Sequence, residues 1–331
     1  MAALAPPLPI ALTGDSAPAR RARTAIDQAG TGPILILAED GLDPASVARY
    51  VHERQRAGQP LIHIDCAERD VDRLQAAILD QRGQRSRAAG RDLEILGSGS
   101  ALVAARRGTV FLENVGELPA AIQRGLARVL RDGEARVGGR DRVRLSARVI
   151  ASAPPALQAE ARDGRFRGDL LRRFGAPPVI LPALRARPED LPAIVDRVAA
   201  DVSAGLGKPA PAFTQAALTV LAALPWPGNL EELRMNLQRV LRDVSGTVRQ
   251  EDLLHLLPIV PFQGIVRPAS PAVSLREARR RFEREYIAAV LEQHDWRMSD
   301  AARTLGIERA NLYRKTRQLG IARSAPMERG R

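Results

Sequence analysis

Apolar residues along this chain follow one rhythm up to about residue 190 and another after it. In the first stretch they come as short unbroken runs: Pro33-Ile-Leu-Ile-Leu37, Leu61-Ile-His-Ile64, Thr109-Val-Phe-Leu112, Arg148-Val-Ile-Ala151 and Pro178-Val-Ile-Leu181. Runs this short and this continuous predict buried strands of a parallel sheet. Between several of them the apolar positions recur every three or four residues, as from Pro44 to Arg56 and from Pro119 to Asp132, which predicts helices. Strands alternating with helices make an α/β unit. Residues 1–12 are a proline-rich, flexible lead-in by composition, and Gly14-Asp-Ser16 opens an Arg-rich helical stretch. After Pro188-Glu-Asp-Leu-Pro192 the pattern reads as helical throughout, to Leu257, broken at Gly205–Pro209 and Pro225–Asn229. Residues 258–273 hold four prolines and no periodicity, so they read as a linker.

Beyond the linker the helical rhythm returns. Ser274-Leu-Arg-Glu277 is a capping box, and Leu275, Ala278, Phe282, Tyr286, Ala289 and Val290 follow at helical spacing. From Met298 to Ile321 the pattern is two short helices around Gly306. Ser299 is expected to cap the first, with Asp300 in its first turn, and the second is expected from about Glu308 to Leu319. Ala301, Ala302, Leu305, Ile307, Leu312 and Leu319 form the apolar side; Arg309, Asn311, Arg314, Lys315 and Arg317 remain on the other. That is the layout of a helix-turn-helix whose second helix can meet guanine with Arg or Lys, adenine with Asn, and phosphates with the remaining cations. A helical hairpin with a solvated basic face would show the same periodicity.

Charge favours the first alternative. The 331 residues carry a net charge of +12, nearly all the cations being Arg. Between Ala272 and Arg331 fourteen Arg or Lys stand against eight Asp or Glu, so half of the excess sits where the motif is. A single cysteine, Cys66, rules out an internal disulfide framework and a cysteine zinc site, and His52, His63, His255 and His294 show no ligand spacing. No run reaches membrane-spanning length and the N-terminus lacks a signal-peptide pattern, so the expectation is a cytoplasmic, nucleoid-associated protein with no membrane partner.

Specific phrases go further. Phe282-Glu-Arg-Glu-Tyr-Ile287, Ala301-Ala-Arg-Thr-Leu-Gly-Ile307 and Asn311-Leu-Tyr-Arg-Lys315 resemble the Fis-type domain that closes bacterial enhancer-binding (sigma-54 activator) transcription regulators. Gly108-Thr-Val-Phe-Leu112, Gly116-Glu-Leu-Pro119, Arg136-Val-Gly-Gly139, Gly164-Arg-Phe-Arg-Gly-Asp-Leu170, Leu184–Pro192 and Trp226-Pro-Gly-Asn229 resemble, in order and spacing, the AAA+ ATPase domain of the same regulators. The resemblance implies a P-loop-type α/β core with a largely parallel sheet at 13–190 and a small helical lid at 191–257. An all-α helix-turn-helix domain follows at 274–322, then a tail at 323–331. It leaves no room for the usual N-terminal sensor domain. The implied DNA contacts are Arg309, Asn311, Tyr313, Arg314, Lys315 and Arg317. The implied partners are double-stranded DNA, a second copy or a larger homo-oligomer, and RNA polymerase or other AAA+ regulators.

Position by position, the resemblance weakens where ATP and Mg²⁺ would bind. A phosphate loop needs glycines, for close approach of backbone N–H groups, and a lysine. At 38–45 the chain has Ala38-Glu-Asp-Gly-Leu-Asp-Pro-Ala45: Gly41 remains, but Asp43 stands for a glycine and Pro44 for the lysine. Glu113-Asn114 stands for the Asp-Glu pair, Ala153-Pro154 for a polar pair, and Glu231 for an arginine, while Arg167 and Arg173 match the arginine fingers. The sigma-54-contacting hexapeptide is missing from Gln81–Gly90. These degenerate Walker motifs lead to the expectation of a DNA-binding regulator with no cofactor, a pseudo-ATPase and not an enzyme. An ATP-hydrolysing sigma-54 activator with divergent residues, a nucleoid-architectural protein and an antagonist of active AAA+ rings are the alternatives.

Overall fold

A computed structural model describes residues 6–80, 93–138, 141–175 and 177–256, and then 284, 287–288, 291, 296–304, 309–319 and 321. The chain folds as two compact units, Met1–Leu257 and Pro258–Arg331.

The first unit is built on a five-stranded sheet. Its strands are β1 (Ile34–Leu37), β2 (Leu61–Asp65), β4 (Thr109–Glu113), β7 (Arg148–Ala153) and β8 (Val179–Ile180), ordered β2-β4-β7-β1-β8, with every neighbouring pair parallel. Every residue of β1 and β7 is buried, as strands covered on both faces must be. Alternate residues of β1 point to opposite faces. Ile34 and Ile36 pack with Val47 and Val51 of α2 (Pro44–Arg56), whereas Leu35 and Leu37 pack with Ile122 and Leu126 of α5 (Ala120–Asp132). The remaining helices of this part are α1 (Ala17–Gln28), α3 (Val71–Ile78), α4 (Ala101–Ala104), α6 (Leu157–Arg162) and α7 (Gly168–Arg173). The α/β expectation is met.

The lid comprises α8 (Leu191–Gly205), α9 (Gln215–Ala223), α10 (Asn229–Asp243) and α11 (Gln250–Leu256). Ile194, Leu221, Leu233 and Leu237 belong to the same apolar cluster as Ile34 and Ile36, so lid and core share one interior. This stretch is not wholly helical as its pattern suggested: β9 (Ala212–Phe213) pairs in parallel with β10 (Thr247–Val248). A second small sheet, β3 (Ile95–Leu96), β5 (Glu134–Val137) and β6 (Asp141–Arg144), likewise had no apolar run to announce it.

In the second unit a helix at Met298–Thr304 and another at Arg309–Leu319 enclose Ala301, Ala302 and Leu312, with Ile287 and Leu291 buried beside them. The Arg297 carbonyl already accepts the N–H groups of Asp300 and Ala301, both at 3.1 Å, so Ser299 lies inside the first turn and is not its cap. Gly306, Leu305, Ile307, the capping box at 274–277 and the Arg-rich segment 81–90 lie outside the described residues. Among the described residues no helix is long and apolar enough to cross a membrane.

Candidate functional site

The segment after β1 is fixed by the lid. Ala38 extends the strand, its N–H donating to the Ala153 carbonyl at 3.0 Å. Gly41 then takes φ +75°, and a Cβ on it would collide with the carbonyl oxygen of Gly228. That close approach is the joint between the loop and the Trp226-Pro-Gly-Asn229 turn. Asn229, fully buried, donates from Nδ2 to the Asp40 carbonyl at 2.9 Å and accepts the Leu184 N–H at 3.1 Å. The Glu231 N–H donates to the Gly41 carbonyl at 3.0 Å. Beside the loop Glu39 receives both guanidinium branches of Arg185, at 2.6 and 2.7 Å, and Arg185 holds its carboxyl below the usual range. The Asp43 carboxylate accepts the Ser46 N–H at 2.9 Å and so caps α2, with Pro44 as the first helical residue.

Between this loop and the lid runs a cleft of about 850 Å³, and Gly41, Asp43, Pro44, Glu113 and Glu231 line it. Ala38 and Asn114 do not. The cleft is also lined by Arg49, Arg197 and Arg234, from α2, α8 and α10, which sequence reasoning missed. Arg234 stands 3.5 Å from Asp201, and Arg197 donates to the Thr13 hydroxyl at 2.6 Å. Glu113, at the end of β4, pairs with His63 Nε2 at 2.7 Å. Asn114 turns away in the left-handed region (φ +56°) and donates to Asp65 at 2.9 Å. The arginine-finger positions lie outside the cleft lining. Arg167 makes a two-branched pair with Asp169, at 2.9 and 2.7 Å. Arg173 is exposed at the end of α7 and helps Arg131 hold the Asp132 carboxyl below its usual range.

An anionic ligand in this cleft would meet guanidinium groups from three helices in place of one lysine from the loop, and Glu113 is a hard oxygen donor suited to a divalent cation. Asp43, the residue that seemed most hostile to phosphate, is engaged as a helix cap. The cleft therefore fits a nucleotide bound through arginines.

On the helix Arg309–Leu319 the buried residue is Leu312, and Arg309, Tyr313, Arg314 and Arg317 are exposed, with Asn311 and Lys315 half-buried at the flanks. The Arg309 guanidinium lies 5.7 Å over the Tyr313 ring, and Arg314 Nη2 donates to Asn311 Oδ1 at 3.0 Å. The six residues expected to contact DNA thus share one helix, five clear of its buried side and Lys315 at its edge.

Residues 12–179 match the family described as Sigma-54 interaction domain, residues 185–257 the AAA+ ATPase lid domain, and residues 278–324 the bacterial regulatory proteins of the Fis family. The chain is 32% identical over 326 residues to the nitrogen assimilation regulatory protein NtrX of Azorhizobium caulinodans, covering 95% of itself and 70% of that protein. It is 33% identical over 309 residues to the nitric oxide reductase transcription regulator NorR1 of Cupriavidus necator, covering 87% of itself but only 59% of the relative. NtrX from Brucella abortus, solved in complex with ADP and with ATP, superposes with a TM-score of 0.64 at 30% and 29% identity, over 93% of this chain and 69% of the other.

Two expectations are corrected by these findings. The reading of no cofactor and the reading of a pseudo-ATPase that is not an enzyme are both overturned by the match to an AAA+ ATPase lid and by a relative that holds ATP and ADP. The physical error was to equate the loss of one lysine with the loss of the site. The loop sequence reports only one wall of the cleft, and the cations on its other walls come from distant helices.

Proposed function

Because this chain belongs to the Sigma-54 interaction domain family, we propose that it is a sequence-specific DNA-binding transcription regulator that works as a dimer or larger assembly and takes ATP in the cleft between core and lid. The observation that carries the DNA-binding part is the exposed face of the helix Arg309–Leu319, with cations and one amide opposite a buried leucine. Single replacements of Arg309, Asn311 or Arg314 by Ala are expected to weaken specific binding by about 1–3 kcal/mol each. Unchanged affinity in the triple variant, measured by fluorescence anisotropy on the selected operator, would reject this helix as the reader.

Support for the nucleotide comes from the cleft and from the ATP-bound relative. In this reading Arg49, Arg197 and Arg234 hold the anionic end, Glu113 holds a divalent ion, and the ligand supplies the free energy of a phosphoanhydride bond. At ten times Kd, Mg-ATP should stabilise the first unit by about 1.4 kcal/mol, or about 3–6 °C in Tm for a unit of this size. Arg234→Ala should shrink that shift; no shift with wild type at 10 mM (about a typical upper working concentration) rejects the nucleotide reading. The family implies the sigma-54 form of RNA polymerase as partner. A second reading is favoured by the sequence of 81–90, which lacks the expected hexapeptide: operator occupancy without a sigma-54 contact. Transcription reconstituted with sigma-54 polymerase separates the two, since ATP-dependent stimulation requires the first.

A further inference from the structure

We propose that Asn311 and Arg314 act as one reading unit that selects guanine, and rejects adenine, in the major groove. This deepens the DNA-binding reading and rests on it. The two residues are three apart on one helix, where side chains are neighbours. Arg314 Nη2 lies 3.0 Å from Asn311 Oδ1. A guanidinium only donates, so the amide must turn its oxygen towards Arg314 and its NH₂ away. Left to itself, an asparagine pairs with adenine by accepting from N6 and donating to N7. Here the accepting half is already engaged, and a cation stands next to it. The unit then presents donors alone: the two amide hydrogens of Asn311 and the remaining N–H groups of Arg314. Guanine offers N7 and O6, two acceptors side by side, whereas adenine offers one acceptor and a donor that would meet another donor. Arg309 lies over the Tyr313 ring instead, so the Asn311–Arg314 pair forms a separate contact set on the same face.

The test is selection of duplexes from a randomised library by the full-length chain, followed by titration of the winner and of its single-base variants. Wild type should enrich a guanine whose replacement by adenine weakens binding roughly ten- to a hundred-fold, the range of one good base contact. Arg314→Ala, which frees the amide oxygen, should move that same position towards adenine, and Asn311→Ala should remove discrimination there. If both variants weaken every sequence alike with no change in preference, the pair contacts phosphates; this inference is then overturned while DNA binding stands. An adenine at the position sensitive to Asn311→Ala overturns it too, because the pair must then open on the DNA. No enrichment of any duplex at low salt removes the DNA-binding reading and this one together.

Discussion

Gly41 and Gly58 have almost the same backbone, φ +75° and +78°, and very different surroundings. Nothing lies within 4 Å of where a Cβ on Gly58 would stand, whereas on Gly41 it would meet the Gly228 backbone. Gly58→Ala therefore faces only the left-handed penalty, about 1–2 kcal/mol. Gly41→Ala must in addition push the lid's turn away from the loop, and should be the more destabilising by more than about 1 kcal/mol in urea unfolding. Equal losses would mean that the loop–lid joint yields freely. Asp43 is the other instructive residue: removing its cap with Asp43→Ala should cost about 1 kcal/mol. These roles were hidden in the sequence for a plain reason. A glycine or aspartate in a phosphate-loop position invites a reading in terms of ligand, while the groups that constrain Gly41 belong to a turn almost two hundred residues away.

Between elements, the joint most exposed to pH is that of α2 with the start of β4. His52 is buried, with Nδ1 2.9 Å from the Thr109 hydroxyl and Nε2 3.1 Å from the Gln59 carbonyl. A carbonyl only accepts, so Nε2 carries the hydrogen and Nδ1 accepts from Thr109. Burial, the largest influence, pushes the imidazole below its ordinary value. The unfolded chain then takes up a proton, near its usual pKa of about 6.5, that the folded chain refuses. Stability from this residue is fully present above that value and is lost as pH falls through it. Unfolding free energies measured between pH 7.5 and 5.5 should fall, and the slope should flatten in His52→Gln whatever that variant's absolute stability; an unchanged slope would assign the effect elsewhere. The strands on either side of this joint were legible because buried parallel strands are apolar on both faces. The small sheets were not, since β3, β9 and β10 are two residues long and β5 and β6 carry charges at alternate positions. The cleft arginines escaped for a related reason: Arg49, Arg197 and Arg234 converge only through the packing of three helices. Arg234, one turn beyond Glu231, was the one with a local signal.

At the scale of the whole molecule the excess of positive charge and the number of copies on the operator can be read in one measurement. Half of the net charge of +12 lies beyond Ala272, and Arg317 is exposed on the same helix face as Arg309 and Arg314. An arginine on that face that contacts phosphate alone releases counterions without selecting a base, so Arg317→Ala should weaken all duplexes about equally and leave the selected motif unchanged. Each phosphate contact contributes about −0.9 to the slope of log K against log salt concentration. One recognition helix on the site would therefore lose about 0.9 of slope in this variant, and two symmetry-related helices about 1.8. The dimeric reading requires the larger change, together with a footprint that is a partial palindrome with half-sites about one helical turn apart. A change near 0.9 over a single asymmetric half-site would make the bound species a monomer, and a shift in base preference would move Arg317 from the phosphates to the bases.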